Sequence, residues 1–227
     1  DIDSLKKAIT PKTKAIVPVH LFGLCANMDA VMEIAEKHNL FVIEDTAQAI
    51  GASYTFADGR KQKVGTIGHV GTTSFFPSKN LGCYGDGGAI FTNDDDLAHT
   101  IRGIVNHGMY RRYYHDVVGV NSRLDSIQAA ILNIKLNHLD SYSFSRNKMA
   151  KKYDDNFSEI PQLSIPKRQY NSTHVFHQYT LKIVPELRNS LIDFLKENKI
   201  PVMIYYPVPG HKQKMFASFN LPETNLP

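Results

Sequence analysis

Cysteine is scarce in this 227-residue chain: Cys25 and Cys83 are too few and too far apart for a disulfide framework or for a zinc site of the paired-cysteine kind. A reducing cytoplasm is the compartment this implies. No apolar run approaches the ~20 residues a membrane span needs, and the polar start at Asp1 lacks the form of a signal peptide. No spacing of His, Cys or carboxylates argues for a metal. Charge of one sign is also lacking, because Lys and Arg outnumber Asp and Glu by only 26 to 22 and lie scattered along the chain. Nucleic acid is therefore a poor partner, although the mild excess suits an anionic small molecule wherever several cations converge on one cleft. Internal repeats and low-complexity tracts are absent from the sequence.

A hydrophobic content of 42% over this length is enough to bury a sizeable core, as one large unit or two small ones. Apolar runs over 14–19 and 40–43 flank helical spacing over 28–38, the signature of a βαβ unit in a parallel sheet. Its second strand delivers Glu44 and Asp45 to the carboxyl edge, where open α/β sheets place their ligands. Residues 53–71 read as a connection, 71–76 as a strand, 77–88 as an irregular turn and 88–92 as a returning antiparallel strand. Helices are expected over 95–105, over 122–141 with Leu124, Ile127, Ala130, Ile131, Ile134 and Leu136 on its apolar side, and over 145–158. A strand over 176–184, a helix over 185–198 and a strand over 202–205 then describe a small α+β unit. The expected division is 1–140 for a large domain and 141–227 for a small one. A start without methionine and an end on Asn225-Leu226-Pro227 without a terminal helix read as part of a longer product.

Four local features carry chemistry, none sufficient by itself. Glu44-Asp45-Thr46-Ala47-Gln48 stands at a strand end, where a carboxylate serves as metal ligand, general base, helix cap or partner of a cofactor nitrogen. In Ser74-Phe75-Phe76-Pro77-Ser78-Lys79 an apolar strand runs directly into a lysine. Such a lysine is either a surface residue with its stem packed on the sheet or an amine held in a cleft, partly desolvated. Gly82, Gly85, Gly87 and Gly88 suggest a phosphate cradle but lack the Gly-x-x-x-x-Gly-Lys-Ser/Thr pattern and a following amphipathic helix; a tight turn that aims Lys79 needs them equally. Finally, Asn121 in Gly119-Val120-Asn121-Ser122-Arg123-Leu124 is either a helix N-cap or, with Arg123, an anion-binding helix start.

Taken in order, Pro18-Val19-His20-Leu21-Phe22-Gly23, Glu44 to Ala49, Ser74 to Asn80, Gly85-Asp86-Gly87-Gly88-Ala89, Asn121 to Asp125 and Gln128-Ala129-Ala130 resemble the DegT/DnrJ/StrS family of nucleotide-sugar aminotransferases. The resemblance runs from about residue 9 to Gln213. It implies an α/β, aspartate-aminotransferase-like fold with a mixed, mostly parallel sheet and a small α+β C-terminal domain, working as a homodimer with shared sites. Pyridoxal 5'-phosphate is the implied cofactor, with Lys79 as its Schiff-base lysine, Asp45 at the pyridine nitrogen, Gln48 against the ring, Ser74 at the phosphate and Asn121 at the phosphate of the other subunit's cofactor. Arg123 is the candidate for a substrate carboxylate, with a surface arginine pairing with Asp125 or a neighbour as the alternative. Tyr205 and Tyr206 resemble the segment lining the sugar-nucleotide side. The family's upstream segment, with further phosphate donors and a ring-stacking aromatic, precedes these motifs and is absent.

The implied reaction moves an amine from an amino acid, glutamate being expected, to the ketone of a nucleotide-linked sugar. The segments Thr73 to Asn93 and Gly119 to Asp125 look closest to members that aminate a 3-keto UDP-sugar, including a 3-keto hexuronic acid. Amination at C4 of a 4-keto-6-deoxy sugar is the near alternative, because the shared motifs describe the cofactor site and not the position of the ketone. The family's dehydratase branch carries histidine where this chain has Lys79. A non-catalytic regulatory homologue that binds the cofactor is the alternative of another class. His20 reads as a packed histidine shaping the site or as a catalytic group; His107 and His177 are assigned no role.

Overall fold

The computed structural model describes residues 1–219. The chain opens with α1 (Ile2–Ala8), capped by the Asp1 side chain accepting from Ser4 N–H at 2.7 Å, and β1 (Ala15–Ile16) follows. Helix α2 (Met28–His38) begins at Asn27, whose Oδ1 accepts from Ala30 N–H, and ends at Asn39 in the left-handed conformation. Met28, Val31, Ile34 and Ala35 recur at helical spacing and are all buried against the sheet. Each such side chain contributes roughly 1.5–3 kcal/mol, less for the alanine.

Strand β2 (Phe41–Asp45) pairs parallel with β1, and β5 (Val70–Ser74) pairs parallel with β2, setting Asp45 beside Thr72. Between them the expected connection contains a hairpin, β3 (Ser53–Thr55) with β4 (Lys61–Lys63). β6 (Gly88–Phe91) returns antiparallel along β5, as the sequence predicts, and completes a sheet of order β1-β2-β5-β6. Gly71 is required at the centre of β5, since a Cβ there would lie 1.9 Å from the carbonyl oxygen of Gly65.

Helix α3 (Asp95–Val105) is capped by Asp94 and leads to a hairpin of β7 (Met109–Arg111) and β8 (Tyr114–His115). The expected helix over 122–141 is two helices. α4 (Ser126–Leu136) starts after Asp125, four residues later than expected, and α5 (Leu139–Phe157) starts after a break at Asn137-His138. The expected apolar side is also corrected: Leu132 and Leu139 are buried beside Phe75, Leu81 and Cys83, whereas Ile127, Ile134 and Leu136 are exposed.

The last part of the chain carries β9 (Leu163–Ser164) paired antiparallel with β10 (Lys182–Ile183), then α6 (Pro185–Glu197). Only 182–183 of the strand expected over 176–184 is strand. Residues 172–177 instead spend their backbone and neighbouring hydrogen bonds on the large sheet's loops, through Thr173 N–H to Ser53 O and Val175 N–H to Gly23 O. Residues 202–205 form no strand either. Asn225-Leu226-Pro227, read above as an interrupted end, lie outside the described residues.

Candidate active site

The site is assembled at the carboxyl edge of the parallel strands. Alternation along β2 points Glu44 and Asp45 to opposite faces. Glu44 is fully buried and accepts from the backbone N–H groups of Gly65, Ile67 and Gly68 at 2.7–2.9 Å and from His20 Nε2 at 3.0 Å. Burial by itself would raise its pKa, but His20 and the three amides outweigh that and hold the carboxyl below its ordinary range. His20 is equally buried. Its Nδ1 accepts from Ala26 N–H at 3.1 Å, which leaves the ring proton on Nε2, facing Glu44. His20 is thus the packed histidine of the two alternatives, bracing the strand that bears Asp45: its own N–H also donates to Asp45 O.

Asp45 is half-buried on the other face. Its Oδ1 accepts from Ala47 N–H at 3.0 Å, and Oδ2 has no hydrogen-bond partner among the described residues. Three residues on, Gln48 Oε1 accepts from Phe22 N–H at 2.6 Å while Nε2 donates to Tyr206 Oη at 3.1 Å. Tyr205 packs edge-on to the Phe22 ring at 6.4 Å between centroids. Both tyrosines of the C-terminal segment therefore reach the Gln48 side of the site.

On the neighbouring strand, Ser74 Oγ accepts from Phe76 N–H at 3.2 Å, so its hydroxyl proton remains to donate. The chain then turns sharply: Lys79 N–H donates to Phe76 O, and Cys83 N–H closes the turn on Phe75 O, both at 2.8 Å. Helix α4 holds this turn through Lys135 Nζ on Gly82 O and Gln128 Oε1 on Tyr84 N–H. Asn80, buried at the turn, is held from the opposite direction by residues 175 and 177. Asn80 and His177 carry no local signal in the sequence, because their pairing spans 97 residues.

Asn121 and Arg123 lie elsewhere. Asn121 caps no helix, Asp125 having that place; it bridges to Asn106, and its Oδ1 accepts from Arg123 Nε at 3.1 Å. Arg123 is exposed and bonds this neighbour, not Asp125, among the described residues, as a surface arginine would. Both line an open cavity of about 1010 Å3 beside Thr73 and Gly88, whereas Lys79, Asp45 and Gln48 do not. His107 sits nearby in a positive-φ turn, its N–H on Val120 O. Among the described residues no cluster of His, Cys, Asp and Glu is suited to a metal ion, and no helix is long and apolar enough to cross a membrane.

A carboxylate with one free oxygen ends β2, a donor-ready serine ends the adjacent β5, a half-buried lysine sits on the turn that follows, and a tyrosine-backed amide lies three residues past the carboxylate. This donor set fits pyridoxal phosphate: an amine for its aldehyde, an anion for its ring nitrogen and a hydroxyl for its phosphate. Fold and site together define an aspartate-aminotransferase-like α/β protein. The chain belongs to the DegT/DnrJ/EryC1/StrS aminotransferase family, whose family model matches residues 1–227.

Relatives include the UDP-N-acetyl-3-dehydro-alpha-D-glucosamine 3-aminotransferase of Acidithiobacillus ferrooxidans, 47% identical over 216 residues that are 95% of this chain and 56% of the relative. A pleiotropic regulatory protein of Geobacillus stearothermophilus is 50% identical over 229 residues, 100% of this chain and 60% of that protein. Among solved structures, S. venezuelae DesV in complex with a ketimine intermediate matches with a TM-score of 0.90 and 41% identity, over 98% of this chain and 58% of that one. The chain thus spans less than two thirds of the length of each.

Proposed function

We propose that this chain is the greater part of a pyridoxal-phosphate-dependent sugar aminotransferase that moves an amine from an amino acid, glutamate being expected, to the ketone of a nucleotide-linked sugar. The observation that carries this reading is the placement of Asp45 and Lys79 at the carboxyl ends of the adjacent parallel strands β2 and β5, the lysine on a turn held from both sides. When bound, the cofactor would supply an aldehyde carbon that takes up and gives back the amine, and a ring that accepts the electron pair left on the reacting carbon.

This chain's own residues supply the rest. The free Oδ2 of Asp45 holds a proton on the ring nitrogen by opposite-charge pairing. Lys79 would hold the cofactor through its amine, and the same amine, tethered by the turn after β5, would move a proton at the reacting carbons. Ser74 donates its hydroxyl to the phosphate. Gln48, fixed between Phe22 N–H and Tyr206, would lie against the ring and carry the position of the 205–206 segment to it. Asn121 and Arg123, standing apart from Lys79, serve the site of a second copy in a homodimer with shared sites: Asn121 at the phosphate and Arg123 at a substrate carboxylate. Tyr205 and Tyr206 line the sugar-nucleotide side. In this reading the chain divides near residue 140, at the start of α5, and the protein works in the cytoplasm.

The 3-keto UDP-sugar is the preferred acceptor, supported by the relative named as a 3-aminotransferase at 47% identity. Full-length protein loaded with cofactor, supplied with glutamate and a UDP-3-keto-hexose derivative, is expected to give the 3-amino sugar, identified by NMR of the product. Turnover of a 4-keto-6-deoxy nucleotide sugar instead would move the amination site to C4. The 50% identity to a protein named as a pleiotropic regulator keeps a cofactor-binding, non-catalytic reading in view. Failure of every amino donor to react with the loaded protein would favour it.

A further inference from the structure

Asn80, next to Lys79 in the chain, is almost completely buried and uses both ends of its amide. Nδ2 donates to Val175 O at 3.0 Å, so Oδ1 faces His177 Nδ1 at 3.1 Å as the acceptor and the imidazole proton must lie on Nδ1. The segment carrying His177 is itself anchored. Arg146 Nη1 from α5 donates to Phe176 O and His177 O at 2.9 and 3.2 Å, and Val175 N–H donates to Gly23 O at 2.9 Å. A Cβ on Gly23 would lie 3.0 Å from the backbone nitrogens of Phe176 and His177, so that glycine lets the segment seat this closely.

We propose that His177 is a positioning residue for Lys79: by donating to Asn80 it fastens the Lys79 turn to the anchored 175–177 segment and sets the direction in which the amine leaves the turn. The proposal deepens the cofactor reading and rests on it. Burial, then the charges of Lys79 and Arg146, push the imidazole pKa down to about 4, so the ring is neutral and keeps this single-tautomer bond at working pH. Those two cations are the charged groups that face it. A structural packing role would require only the bulk of the ring; a positioning role requires the Nδ1 donor.

The proton affinity of an imine nitrogen conjugated to an aromatic ring depends on the torsion between them. Redirecting Lys79 therefore moves the pH midpoint of the lysine-bound cofactor's absorbance, which is measured on loaded full-length protein without substrate. His177→Phe keeps a ring and loses the donor, whereas His177→Asn loses the ring and places an amide nitrogen close to Nδ1. We expect the midpoint of His177→Phe to shift by about half a unit or more, with His177→Asn restoring the wild-type value. Equal midpoints in all three proteins, or equal shifts in both variants, would overturn the proposal. Should His177→Phe give no cooperative thermal melt, Asn80→Ala removes the same bond from the other partner, with the same shift expected and an unchanged midpoint again overturning it. A wild type that shows no lysine-bound absorbance at all would instead defeat the cofactor reading, which keeps the two failures distinct.

Discussion

Asp45 and Glu44 are chemically alike and adjacent, yet the strand gives them opposite tasks. Glu44 is consumed by four hydrogen bonds in the interior, and Asp45 keeps an oxygen free at the edge. Asp45→Asn preserves shape and removes the charge proposed to hold the ring proton. Its expected effect is a fall of ~100-fold or more in kcat with little change in KM, read by steady-state kinetics. A second residue-scale expectation concerns His174 and His177, each driven mainly by burial from an ordinary value of 6.5 to about 4. Their folded-state pKa values are depressed, so as pH falls the unfolded chain takes the proton first. Their stabilisation is whole above pH 6.5 and lost on going down to about 4, with a slope of up to ~1.4 kcal/mol per pH unit for each histidine. Urea midpoints across this range test it, and His177→Asn should flatten the dependence.

At the scale of elements, β2 and the loop 65–68 are joined by the Glu44 carboxylate. Glu44→Ala strands three buried amides and the His20 proton, and should cost about 3–5 kcal/mol in urea unfolding. Because that carboxyl is held below its ordinary pKa, the stabilisation it gives is complete above its unfolded value of 4.5 and lost only as pH falls through its lower folded value. The β1-α2-β2 unit and the β5–β6 return were legible because alternation, caps and glycines agree locally. The division of 122–141 was not, since Asn121 and Asp125 both offer an N-cap and the break at Asn137-His138 carries neither glycine nor proline. Residues 176–184 read as strand, but Arg146 takes the carbonyls of Phe176 and His177, and Gly23 and Asn80 take the backbone of Val175 just before them. In the proposed site, Asp45, Gln48, Ser74 and Lys79 stand out in the sequence because each sits within five residues of a strand end. The bracing partners His20 with Glu44 and Asn80 with His177 are joined only by the fold.

For the whole molecule, Asn121 and Arg123 line a cavity that Lys79 does not line, and in the proposed homodimer they would serve the site of the second copy. Mixing inactive Lys79→Ala and Asn121→Ala full-length proteins should restore activity to about a quarter of wild-type sites, since a hybrid dimer gathers both lesions into one site and leaves the other intact. No recovery after subunit exchange would place both residues in one subunit's site. The central claim, that Lys79 holds the cofactor, is tested most directly by absorbance of full-length protein with pyridoxal phosphate, before and after glutamate, beside Lys79→Ala. The account predicts a band near ~420 nm in the wild type alone, moving toward ~330 nm with glutamate. The same band in Lys79→Ala, or none in the loaded wild type, would contradict it.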